Sequence, residues 1–503
     1  MKQAFHIFAK DVRLYWIEIL ANLTLTALFV WFYPMSWRES QTILVWPWVP
    51  STTVGLMLVS WLVLITRVIH AENLVGERQF WITRPYRWPQ LIAAKVLFVA
   101  AFLYVPFFLA LCLLLRQAGM HPYSYMAGLF YELLLTTGIA VLPMACLAAV
   151  TSNFAKTLLA LLGVILFTGG VAYLSSILPT SSTTDSFSDV LSFVVAVSVF
   201  VAVLLIQYSR RSTGIAWALI VALAVTFAVF GLAVPEDFAI KDLYPVSTST
   251  RGPRIAFSQA LTSASVTRSD LRNSREITVV FPITISGIAP NTALRISAAR
   301  VSLTGLDGTR WTSHWQDVFV TLLPGESTGA VSLKISRSYF DRMKDKPVTV
   351  EMSAALTLLK AGNATRLTLP TKRFELPGGG LCHASGGWEN SLSCLFPMRQ
   401  PALMLIGTRL STEDCSAAPP SNNGDLGLAW VGTLDTQPAD FGLTSVWETS
   451  VWFQRFSSGG STQLEYLCPG SPLSVVLYTV ATRSQQKFVS QPVTLKNFVP
   501  SGF

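Results

Sequence analysis

Apolar residues crowd the first half of the chain in long runs, near 14–33, 51–70, 92–116, 124–150, 157–178, 190–206 and 214–234. A helix needs about 20 such residues to cross ~30 Å of hydrocarbon, so the pattern predicts a bundle of about seven transmembrane helices over residues 1–234. Ser and Thr inside the runs are compatible with this, because their hydroxyls bond back to the helix backbone. Before the first run, Phe5, Phe8, Val12 and Trp16 recur at helical spacing, with Lys2, Lys10 and Arg13 off that face. This predicts either a short amphipathic helix along the inner membrane surface or an early start of the first span. No small-residue cleavage site follows the run, so it is expected to stay as a signal anchor.

Beyond Val234 the period changes. EITVVFPITIS, ALRISAARVSL, DVFVTLL, AVSLKIS and VTVEMSAALTL are rich in β-branched residues, several alternate with period two, and Gly, Pro, Asn and Asp separate them. The spacing predicts an antiparallel, sandwich-like domain over 235–375. Pro377-Gly378-Gly379-Gly380 marks a seam, after which 376–503 reads as a β- and loop-rich region that is either a second layer or an extension of the first. The expected fold class is therefore a membrane all-α bundle followed by an all-β, sandwich-like extracytoplasmic domain.

Charge adds orientation. The net charge of +9 is not gathered into a basic stripe with interleaved aromatics, which argues against a nucleic-acid partner. Instead Lys2, Lys10, Arg13, Arg67, Arg78, Arg84, Arg87, Lys95, Lys156, Arg210 and Arg211 flank the runs on one side, against Arg38 and Arg116 on the other. Positively charged connectors stay in the cytoplasm, so the amino terminus is expected inside and the β half outside a cell (inner) membrane, periplasmic in a Gram-negative cell. Cysteine usage agrees. Cys112 and Cys146 lie in apolar runs, whereas Cys382, Cys394, Cys415 and Cys468 cluster in the last quarter, where two disulfides in any of three pairings require an oxidising compartment.

The segment RVIHAENLVGERQFWITRPYRWPQLIAAK, 67–95, is the long cytoplasmic connection, dense in charge, aromatics and proline. Pro85 and Pro89 limit any helix there to a short one. Glu72, Gly76 and Glu77, then Phe80-Trp81-Ile82-Thr83-Arg84-Pro85, then Leu91 and Ala94-Lys95 opening an apolar helix, resemble the loop of type 2 (exporter-like) ABC transporter permeases. The stretch AVLPMACLAAVTSNFAKTLLALL is similar to that family's fourth and fifth helices, and the resemblance extends over roughly 1–206. It implies a permease that docks a separate cytoplasmic ABC ATPase through Glu72, Gly76, Glu77, Trp81, Arg84, Pro85 and Lys95. It also implies a homodimer or a heterodimer with another permease, and ATP used only through the partner. The family commonly has six spans; the seventh and the long β half depart from that.

No Gly-x-x-x-x-Gly-Lys-Ser/Thr occurs in the chain, so ATP chemistry needs a partner in trans. Gly325-Glu326-Ser327-Thr328-Gly329 matches a nucleophile elbow in letters, but strand-like flanks on both sides predict a hairpin turn. None of the five histidines pairs at metal-ligand spacing, so neither an enzyme nor a metal site is expected. Arg116 and Glu132 sit near the outer ends of their runs, where they are expected to pair with each other or reach the interface. Two functions compete: an ATP-driven transport subunit for an unidentified substrate, and a non-transporting anchor whose β domain binds protein or glycan.

Overall fold

A computed structural model describes residues 2–37, 49–71, 88–177, 186–233, 240–241, 243–246, 253–258, 265–266, 276–343, 346–369, 373–376, 380–384, 391–398, 403–409, 426–431, 445–452, 455–456, 462–463 and 470–494. The first half is helical. α1 (Lys2–Leu14) and α2 (Trp16–Phe32) are distinct, because Tyr15 between them leaves the helical region at φ −111°, ψ 26°. There follow α3 (Val49–His70), α4 (Trp88–Gln117), α5 (Pro122–Val150), α6 (Phe154–Ile177), α7 (Ser186–Ser209) and α8 (Thr213–Ala233). Among the described residues six helices are long and apolar enough to cross a membrane. The seventh expected run forms α8, whose apolar stretch Thr213–Val229 is shorter than those six.

α1 is amphipathic, but its inward face differs from the expected one. Ile7 and Asp11 are buried and Phe8 and Val12 are half-buried against the bundle, while Phe5 and Trp16 are exposed. The inward face is rotated by about one residue, to Ile7 and Asp11, because a cation on α4 meets the acidic residue there.

α4 and α5 are each interrupted by a π-turn, at Ala100–Tyr104 and Thr137–Val141. Val105 N–H bonds to Ala100 O and Leu142 N–H to Thr137 O, five residues back. In both helices a proline comes next, Pro106 and Pro143. A proline has no N–H to donate and its ring collides with the carbonyl four residues earlier, so the turn before it widens. At 30 residues α4 is about 45 Å long, more than ~30 Å of hydrocarbon requires, which leaves its ends free to engage other parts of the chain.

The second half is a layered β structure. Its largest sheet has nine strands, and the long strands Thr292–Gly305, Pro347–Ala361 and Pro472–Val489 lie side by side in it. Pro472–Val489 pairs with Pro347–Ala361 from Thr479↔Lys360 to Val489↔Glu351, so residues on both sides of the seam at 377–380 build one sheet. A four-stranded sheet containing Glu276–Ser286 and Thr328–Ser336 covers part of it, with Phe281, Ile283, Val331 and Leu333 packed on Leu294, Val301, Met352 and Leu356. A second four-stranded sheet, Phe374–Leu376, Gly380–Ala384, Ser391–Pro397 and Val446–Trp452, packs Leu376 and Phe396 on Met404, Ile406 and Val475. The turn at Gly325, φ 93°, is not a hairpin: the strands Gln316–Leu322 and Thr328–Ser336 on either side of it belong to different sheets, so it is a corner between layers. Both flanks are strands, and the elbow geometry is absent.

The two halves touch through this second small sheet. Leu395 and Val446 join the core of the helical bundle, with Leu381 and Met398 against it. Ser445 Oγ donates to Leu111 O of α4 at 2.8 Å, and Met398 N–H donates to Ser445 O. Glycines make the approach possible. A Cβ at Gly128 would stand 2.7 Å from Met398 Cγ, and one at Gly119 would stand 3.2 Å from Leu381 Cδ2. Met398 is held at φ 63°, an unusual conformation for a side-chain-bearing residue, at the point where the chain turns over α5.

Candidate functional site

The polar chemistry of the bundle gathers in two places. The first is the end at which α1 and α4 begin. Asp11, fully buried on α1, accepts from Lys95 Nζ on α4 at 2.7 Å, and the Lys95 side chain is 8% exposed. Neither charge is affordable alone in such surroundings, so each explains the other. Beside them Arg67, at the end of α3, donates to Glu18 on α2 at 2.5 Å, and Tyr15 Oη donates to Arg67 O. His70 meets Ala148 O at 2.9 Å, and Thr151 and Thr157 share a hydrogen bond at 2.6 Å where α5 passes into α6. Next to that turn a cleft of about 390 Å³ is lined by Thr151, Ser152, Lys156, Leu159 and Trp217. The ends of α1 to α6 are thus tied by side chains rather than by apolar packing alone.

The second place is deeper. Asn22 of α2 is fully buried; its Nδ2 donates to Phe102 O at 2.8 Å and its Oδ1 accepts from Ser60 of α3. Phe102 lies in the π-turn of α4, four residues before Pro106. An α-helix would satisfy that carbonyl from the N–H of residue 106, which a proline lacks, and the Asn22 amide takes its place. The other end of the same π-turn, Tyr104, shares a 2.8 Å hydrogen bond with Thr137, the first residue of the π-turn in α5. Both irregular turns are therefore held by polar side chains from a neighbouring helix, the arrangement that makes broken helices tolerable in lipid.

Of the residues expected to form an ATPase-coupling loop, Glu72, Gly76, Glu77, Trp81, Arg84 and Pro85 lie outside the described residues. Lys95 is described, and its Nζ meets Asp11. Arg116 is exposed at the end of α4 and Glu132 is buried on α5; no ion pair joins them among the described residues. Of the four clustered cysteines, Cys382 and Cys394 form a disulfide across adjacent antiparallel strands, facing each other in register. Cys415 and Cys468 lie outside the described residues. Cys112 and Cys146 are free thiols in α4 and α5.

Asp11, Asn22, Tyr104 and Thr137 do not stand out as site residues in the sequence. One signal pointed to Asn22: Pro106, a proline inside an apolar run whose missing N–H calls for a donor from elsewhere. For Asp11 the signal was an acidic residue at i+4 from Ile7, on the face that packs inward.

No family model matches the chain, and no curated protein matches it. Among solved structures it is similar, at 9% identity and a TM-score of 0.13, to red sea bream transglutaminase, with 50% of this chain and 32% of that one covered. The chain thus spans about a third of that enzyme's length. It is also similar, at 12% identity and a TM-score of 0.16, to Pseudomonas fluorescens alkylpurine DNA glycosylase AlkC bound to DNA containing an abasic site analog, with 67% and 95% covered. At such scores neither likeness carries an argument about fold or function.

Proposed function

We propose that the chain is the membrane subunit of an ATP-driven transporter, with a cytoplasmic ATPase supplied in trans and docked on the segment that joins α3 to α4. The observation that carries this reading is the buried Asp11–Lys95 ion pair. It ties α1 to α4 within two helical turns of Trp88, where α4 begins, so a displacement of the preceding segment is delivered to two helices together. The ties from Glu18 to Arg67 and from His70 to Ala148 extend the same rim to α2, α3 and α5. Such a rim is suited to receive motion as a unit.

Sidedness draws support from where the β half rests. Its small sheet packs at Gly119 and Gly128, near the turn between α4 and α5, and Lys95 and Arg67 belong to the opposite end of the bundle. With basic connectors inside, the β half stands outside, and α8 then completes a seventh crossing. A disulfide in that half is in keeping with an oxidising compartment.

The test uses the full chain expressed in its own host and purified in mild detergent. An ATPase subunit co-purifies, and in liposomes its ATP hydrolysis depends on the chain; Arg84→Glu combined with Trp81→Ala removes both. Co-purification and hydrolysis that survive the double substitution defeat the assignment. The second reading, an anchor presenting the β half to a protein or glycan, is favoured by the sandwich having a core of its own around Phe281 and Met352. It predicts that no ATPase is recovered at all.

A further inference from the structure

The bundle treats its carboxylates unequally. Asp11 has Lys95 at 2.7 Å and Glu18 has Arg67 at 2.5 Å. Glu132 has neither an ion pair nor a hydrogen bond among the described residues, although it is only 9% exposed. It lies on the inward stripe of α5 with Leu129, fully buried, and Thr136, 6% exposed, at spacings of three and four residues that put all three on one face. One residue beyond Thr136 begins the π-turn that Thr137 shares with Tyr104.

A carboxylate in such surroundings, with no cation beside it, is the least tolerable group a membrane bundle contains, and one retained there marks an ion or proton path. Asp11 and Glu18 are neutralised by cations on neighbouring helices, whereas Glu132 has none among the described residues and is left to a proton to neutralise it. The ligand set of a metal ion, three or more His, Cys, Asp or Glu together, is not gathered among the described residues. We infer that Glu132 is a proton-binding site inside the bundle, which exchanges its proton as α5 flexes at the adjoining π-turn. This holds whether the chain transports or anchors.

The groups that bear on Glu132 from the surrounding helices are few. α4 contributes Tyr104, Cys112 and, exposed at its end, Arg116. α5 itself carries Tyr123, Tyr125, Tyr131 and Cys146, with His121 just before it. α3 has Arg67 and His70 at the opposite end, where both are engaged, α6 has Lys156 and Tyr173, and α7 has Asp189 near its start and Tyr208 at its end. α8 has no ionisable side chain. No cation from any of these elements is paired with Glu132.

The experiment is labelling of the full chain in liposomes by dicyclohexylcarbodiimide, an apolar reagent that reacts with a protonated carboxyl. The carboxyl proton passes to a carbodiimide nitrogen, the carboxylate oxygen bonds to the central carbon, and acyl transfer to nitrogen leaves an N-acylurea one whole reagent heavier. Mass spectrometry is expected to find that adduct on Glu132, with at least about tenfold more of it at about pH 6 than at about pH 9. Glu18, ion-paired to Arg67, is the internal comparison and stays unmodified. Glu132→Asp keeps the adduct and Glu132→Gln loses it; the unsubstituted protein decides alone if the Gln variant fails to insert. No adduct on Glu132 at the lower pH, or equal labelling at both, overturns the inference.

Discussion

Tyr104 on α4 and Thr137 on α5 share a hydrogen bond of 2.8 Å, and each belongs to a π-turn, so the two irregular segments of neighbouring helices are joined to each other. The Thr137 hydroxyl also donates to Leu133 O one turn back. A π-turn costs helix regularity and recurs where a helix must bend or act. Here the two irregular segments are linked directly across neighbouring helices. Tyr104→Phe removes the shared bond with little change of volume and is expected to lower stability in detergent by about 0.6–2 kcal/mol, the range for hydrogen bonds between membrane helices. A cycle with Thr137→Val should show that the two losses do not add.

The Asn22 amide stands in for the N–H that Pro106 lacks. Asn22→Leu leaves Phe102 O without that donor and is expected to cost about 1–3 kcal/mol. Pro106→Ala returns a backbone donor to position 106. In that background Asn22→Leu should be nearly harmless, as thermal unfolding of the four variants in detergent would record. Equal losses in both backgrounds would mean that the amide serves another purpose.

Breaking the Asp11–Lys95 pair from one side leaves a buried charge. Lys95→Ala is expected to cost about 3–5 kcal/mol, and Asp11→Leu with Lys95→Met to recover most of it. The thermal midpoint of the detergent-solubilised chain separates this from a purely docking role for Lys95. In that case Lys95→Ala would abolish ATPase recovery and leave the midpoint unmoved.

Cys382 and Cys394 close a hairpin whose residues also touch the bundle. Replacing both with Ser is expected to lower the stability of that layer by about 2–3 kcal/mol, seen as faster proteolysis between residues 373 and 452. Both sulfurs are buried, so sidedness is read at an exposed position: in intact cells a membrane-impermeant maleimide should react with Leu306→Cys beyond the level seen in the unsubstituted chain. Labelling that requires cell lysis would reverse the proposed sidedness.

Gly128 leaves room for Met398. Ala at this position needs only a shift of the flexible methionine and is expected to be mild. Leu or Phe should lift the small sheet from α5. A cysteine pair at Gly128 and Met398 is expected to cross-link readily in the otherwise native chain, and the same pair should fail to form when Leu is introduced at Gly119, beneath Leu381.

Most of the helical half was legible in the chain itself. Runs such as 92–116 and 124–150 announce helices because lipid offers the backbone no hydrogen bonds, and the helices Trp88–Gln117 and Pro122–Val150 stand where those runs lie. The β-branched stretches after Val234 were equally plain, since alternation is a local property. The candidate site was legible only in pieces. Lys95 stood out as the charge that opens an apolar helix, but its counter-ion lies 84 residues away.

What the order of residues determined alone was therefore which segments are helix or strand and which of them are greasy enough for lipid, because period and transfer energy are written along the chain. Tertiary structure alone decided the rest: that Asp11 turns inward to Lys95, that Asn22 serves the carbonyl abandoned by Pro106, that Glu132 finds no partner in Arg116, and that strands from both sides of residue 377 share a sheet. These are pairings between groups far apart in the chain. Their energy depends on distance and burial, and neither quantity exists until the helices and sheets have packed.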